Sequence, residues 1–177
     1  MRRPPRGRFG GASASDLTHP IAVWRAALEA GYATRAAWRA WAERRIAEGP
    51  TAPAWLVDLA DARSAREAAE ALGEGAREAR RSGLEVGGHQ RLTVGFLWLL
   101  HEEGRLSFTQ AIDRAGEVAD AANWESPSCE AFYALAGEDA SRAASLFAPF
   151  AAEAHAAWRA VLDGAAAPGE RRPPSAS

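Results

Sequence analysis

A chain of 177 residues with formal net charge −2 can close a single hydrophobic core without disulfides or metal, because a domain of this size buries roughly 70% of its unfolded surface. The lone Cys129 excludes an intrachain disulfide and a cysteine zinc cluster. All 21 basic residues are arginine, which excludes lysine Schiff bases and P-loops. Near-neutral charge supplies no field to hold a polyanion, so nucleic acid is disfavoured as a partner.

The longest strongly apolar run, Leu92 to Leu100, is about half the ~20 residues that a membrane span needs, and the first arginines lead into no export signal. The expectation is a cytoplasmic protein that does not engage membranes. Segments 1–15, MRRPPRGRFGGASAS, and 164–177, GAAAPGERRPPSAS, are too poor in apolar residues to offset ordering entropy. They are expected to be a disordered basic arm and a disordered tail around one helical domain, 16–163. The arm is the one place from which a nucleic-acid-associated regulator could work.

Helix signals fill the middle. Thr18 and Pro20 open a first helix that Gly31 closes, and Thr34 opens a second that ends at Gly49 and Pro50. Pro53 starts a short third helix carrying AWLVDLADA. Ser64 and Glu67 form a capping-box pattern for a fourth, whose course beyond Gly73 and Gly75 is left open. A glycine-marked loop from Gly83 to His89 leads into QRLTVGFLWLL, apolar on nearly every side and therefore central. Gly104 ends that helix. Ser107 and Gln110 make a second capping box, with Leu106 set to staple Ala111. The helix they start turns Phe108, Ala111, Ile112, Ala115, Val118, Ala119 and Ala122 inward, and Gln110, Asp113, Arg114, Glu117 and Asp120 outward. Ser126 and Pro127 are expected to cap a seventh helix through Leu135. A last helix from about Asp139 lines up Phe147, Ala151, Ala154, Trp158 and Leu162, with a kink or split at Pro149. No period-two strand or internal repeat is present, so the fold class is all-α, an antiparallel multi-helix bundle around the apolar helix near 90–103.

The stretch TRAAWRAWAERRIAEG, from Thr34, mixes tryptophan with arginine, a composition shared by base-stacking, membrane and core helices. At 100° per residue Trp38, Trp41, Ala42 and Ile46 fall on one stripe. Arg39 stands four residues before Glu43 and Arg44 four before Glu48, pairings of a solvated face. The stripe therefore reads as core. Arg45 alone projects within it, and a guanidinium there needs a carboxylate or an aromatic face. Asp58 is its expected partner, so a ligand pocket around Arg45, Trp38, Trp41 and Asp58 is one functional alternative.

Other chemistry is sparse. Cys129, with His89, His101 or His155 as base, is a nucleophile only by composition, although a helix N-terminus could lower its pKa. In LLHEEGR the second histidine of an H-E-x-x-H site is replaced by Arg105, so no metal is expected. No catalytic or cofactor-binding residue is assigned. NWESPSCEAFYAL presents Trp124, Glu130 and Tyr133 beside the acidic face of Asp113, Glu117 and Asp120, a composition suited to recognising another protein.

The order GY at Gly31, PAWLVDLADA from Pro53, GFLWLLHEEGRLS from Gly95, AGEVAD from Ala115 and CEAFYAL from Cys129 resembles small all-helical bacterial proteins of uncharacterised type. Some of these look like immunity proteins of polymorphic toxin systems. The resemblance spans Asp16 to Glu138 and implies a non-enzymatic, cytosolic protein that blocks a cognate toxin by surface complementarity. It transfers no functional residue.

Overall fold

The computed structural model describes residues 14–84, 86–137 and 140–164, which form eight α-helices and no strand. The all-α class is as expected. Residues 1–13 and 165–177, which carry most of the expected arm and tail, lie outside the described residues.

In chain order the helices are α1 (Ala14–Ala30), α2 (Arg35–Ala47), α3 (Ala54–Asp61), α4 (Ala65–Arg81), α5 (His89–Glu102), α6 (Phe108–Ala121), α7 (Cys129–Tyr133), which tightens into a 3-10 turn over Ala134–Gly137, and α8 (Ala140–Asp163). α5 is the centre, packed on α1, α6 and most extensively α8; α3 joins α2 to α4, α4 packs on α1, and α7 on α6. Leu92 to Trp98 and Leu100 are buried, so the all-round apolar reading of this helix holds. Its glycine is a contact point: a β-carbon on Gly95 would collide with the Phe150 carbonyl and stand 2.6 Å from the Ala154 β-carbon.

Aromatic rings fill the space that alanine leaves. Trp24 meets Trp41 at 5.6 Å and Trp158 at 4.8 Å, and Trp158 continues to Tyr32 and Phe96. A second cluster stacks Trp98 on Phe147 at 4.5 Å and extends through Phe132 and Phe150 to Trp124. Phe96 and Trp98 thus send α5 into both clusters. Trp24, Trp38, Trp41, Trp55 and Trp98 are all buried, which answers the tryptophan-arginine question in favour of core.

The helix ends follow local chemistry. Thr34 Oγ1 accepts from the Ala37 amide, and the Ser107–Gln110 capping box is complete in both directions. At Ser64 only half the expected box forms: Ser64 Oγ accepts from the Glu67 amide, while Glu67 reaches past it to the Arg63 amide at 2.7 Å. Gly104, at φ +71°, closes α5 with the Arg105 amide on the Leu100 carbonyl and its own on that of His101, the paired bonds of a Schellman end. Asn123, at φ +52°, does the same for α6.

Three boundaries differ from expectation, and a fourth is one that the sequence leaves open. α1 begins at Ala14 and carries Pro20 inside it, because the buried run of Ile21 to Trp24 and Ala26, Ala27 and Ala30 outweighs a local proline cost of about 3 kcal/mol. α4 continues through Gly73 and Gly75; Gly75 is required there, since a β-carbon on it would stand 2.7 Å from the Trp55 ring. α7 is capped at Ser128, not Ser126, and ends at Tyr133. α8 is not split at Pro149: Phe147, Phe150, Ala151 and Ala154 bury on both sides of it, and Val161 takes the inward place expected of Leu162, which is 38% exposed.

Two arginines assigned to solvated faces work instead as helix caps across the fold. Arg114 donates to the Glu29 and Ala30 carbonyls at the end of α1, at 2.8 and 3.2 Å. Arg44 donates to the Leu162 and Val161 carbonyls at the end of α8, at 2.8 and 3.1 Å. Terminal carbonyls lack intrahelical donors and carry the negative end of the macrodipole, so a guanidinium fork suits them. Arg44 therefore makes no pair with Glu48, whereas Arg39 and Glu43 pair as expected at 2.8 Å.

Candidate functional site

Of the residues proposed around Arg45, the fold keeps Trp41 at hand and separates Asp58. Trp38 and Trp41 are buried in the core. Arg45 binds Glu48 at 2.8 Å, and its guanidinium lies 5.9 Å from the Trp41 ring centre. The expected Arg45–Asp58 pair is replaced by this one, because a carboxylate one helical turn away on the same element needs no tertiary closure. Asp58 points elsewhere. It lines a cavity of about 440 Å³ between α3 and α4, together with Asp61, Glu67, Glu70, Glu74 and Arg77.

That acidic groove was not anticipated. Its signal was present, as carboxylates three and four residues apart on two adjacent helices, but their convergence depends on the α3–α4 packing. Arg77 donates from Nε to Glu74 at 2.8 Å, and that bond, before all other causes, holds the Glu74 carboxyl below its usual range.

The α6–α7 rim does assemble. α6 carries Asp113, Glu117 and Asp120 on one exposed stripe. α7 lays Tyr133 across the bare backbone of Gly116, where a β-carbon would stand 2.5 Å from the ring, and the residue remains 43% exposed. Burial against α6 raises the Tyr133 hydroxyl pKa, followed by Cys129 and the charges of Glu117, Asp120 and Asp113. Three carboxylates from one helix and a tyrosine from the next thus share one field.

Cys129 donates from Sγ to Asp120 Oδ1 at 3.8 Å. Its thiol is pushed up, first by desolvation and then by Glu130 and Asp120, the opposite of an activated nucleophile. The Glu130 carboxyl is lowered by the Ser128 side chain and its own amide. Trp124 does not join the exposed rim; it is half-buried and stacked on Phe150 at 5.8 Å.

The histidines named as bases are engaged or apart: His89 lies 3.4 Å from Glu29, His101 Nδ1 lies 3.2 Å from the Leu106 carbonyl, and His155 is exposed on α8. Among the described residues no three His, Cys, Asp or Glu side chains are placed to hold a metal ion, and no helix is long and apolar enough to cross a membrane. No protein-family model, curated protein or solved structure matches the chain.

Proposed function

We propose that the protein is a non-enzymatic interaction module of the immunity-protein kind, which docks a basic partner, a cognate toxin, on the α6–α7 rim. The observation that carries this reading is Tyr133, an aromatic ring packed against Gly116 and left 43% exposed amid the charges of Asp113, Glu117 and Asp120. A rigid aromatic contact supplies binding area at small entropic cost, and surrounding carboxylates select and steer a cationic surface. The acidic α3–α4 groove adds negative potential of the kind that repels nucleic acid and anionic lipid. With Trp38 and Trp41 packed and Asp58 turned away, the alternative pocket around Arg45 loses its support.

The test is co-expression with the product of the neighbouring open reading frame. Relief of that product's toxicity by the wild type, lost in the triple variant Asp113→Asn, Glu117→Gln, Asp120→Asn, is expected. Toxicity unrelieved by the wild type overturns the reading, and relief retained by the triple variant overturns the rim as its surface.

A further inference from the structure

α5 enters the bundle with no side chain at its cap, since Gly88 occupies that place at φ +77°. The first turn of a helix carries unpaired amides and the positive end of the macrodipole, so an anion is favoured there. The last turn of α1 provides one. Glu29 Oε2 stands 3.4 Å from His89 Nε2, on the first residue of α5, and 3.4 Å from Thr93 Oγ1 one turn later. Thr93 Oγ1 also lies 3.0 Å from the His89 carbonyl, and Thr93 is the single fully buried polar residue among those described, 1% exposed.

We infer that Glu29, His89 and Thr93 form a proton-dependent clasp that holds the first turn of α5 to the last turn of α1 and tightens when the imidazole is protonated. A neutral imidazole gives the carboxylate one hydrogen bond; the protonated ring adds charge attraction. Imidazole is the side chain whose ordinary titration falls between pH 5 and 8. The Glu29 carboxyl is held below its usual range, by the His89 hydrogen bond foremost and against burial, so the carboxylate is ionised across that pH range.

The surroundings leave this pair in control. On α1 the nearby charge is Arg25, one turn before Glu29. α4 faces Glu29 across a cavity of about 320 Å³ with Ala65, Ala69 and Gly73. α6 brings Arg114, which is bound to the Glu29 backbone carbonyl, and α8 brings Glu153, which is paired with Arg91. These are guanidinium and carboxylate groups, and no second imidazole is among them.

The experiment is NMR on the full chain between pH 8 and about 5.5, following the imidazole resonances and the exchange of the Thr93 and Val94 amides. In the wild type, acidification should slow exchange at these amides roughly two- to fivefold beyond the intrinsic pH effect, the span of a partly exposed ion pair. Glu29→Gln should remove that slowing. His89→Asn keeps a donor without a titration and should be flat. A slowing that survives in Glu29→Gln or in His89→Asn would overturn the clasp.

Discussion

Gly95 and the backbone carbonyl of Phe150 meet so closely that no β-carbon fits between α5 and α8. Backbone cannot yield as a side chain does. Gly95→Ala is therefore expected to cost about 3 kcal/mol, the upper part of the range for overpacked cores, seen as a lower urea midpoint. In Gly116→Ala the nearest atoms are those of the Tyr133 ring, which can swing outward into solvent. It should lower stability less than Gly95→Ala while displacing the rim's aromatic contact. Equal losses for the two variants would contradict the distinction between backbone and side-chain contact.

Arg114 and Arg44 bind carbonyls at the ends of α1 and α8. Each arginine makes one part-buried and one exposed bond, and removing such a charged donor costs about 1–2 kcal/mol. Arg114→Ala and Arg44→Ala should each show such a loss in chemical denaturation, with the lysine variants intermediate because an ammonium is not a planar fork. Arg39→Ala, on an exposed i,i+4 pair, should leave the denaturation midpoint essentially unchanged.

The indole nitrogens separate two kinds of buried tryptophan. Trp98 donates to Glu102 at 3.0 Å, whereas the buried N–H groups of Trp24, Trp38 and Trp41 have no hydrogen-bond partner among the described residues. Benzothienylalanine keeps the ring shape and removes the N–H. At Trp98 it should destabilise by about 1 kcal/mol, and at Trp38 or Trp41 it should be neutral or stabilising, since an unpaired buried donor costs roughly 1–3 kcal/mol. A uniform loss at all three positions would refute the difference.

Tyr32 and Tyr133 are the two tyrosines of the chain, and both are raised above 10.0, by desolvation first in each case. A group whose folded pKa is raised contributes stability below its unfolded pKa and loses it as pH rises through the folded value. Alkaline absorbance titration should give a folded midpoint above that of the urea-unfolded chain. Neutralising Asp113, Glu117 and Asp120 should bring the Tyr133 component down.

Glu29 has the opposite sign. Its folded pKa lies below 4.5, so its contribution is present above the unfolded value and disappears as pH falls through the folded one. The acid limb of a stability-versus-pH curve should be shallower in Glu29→Gln than in the wild type.

The sequence by itself determined the helical class, the central place of Leu92 to Leu100, the caps at Thr34 and Ser107, and the inward stripe of Trp38 and Trp41. Each of these is set by neighbours within about two turns: periodicity, a capping hydroxyl, a glycine beyond the last carbonyl. The acidic stripe of Asp113, Glu117 and Asp120 was legible for the same reason. Tertiary structure alone decided that Arg44 and Arg114 serve the ends of α8 and α1, that Asp58 turns to the α3–α4 groove, that Tyr133 lies on Gly116, and that α4 and α8 run on through Gly75 and Pro149. Those outcomes depend on which helix lies across which, and a long arginine or a missing β-carbon can be satisfied by any partner that packing brings within reach.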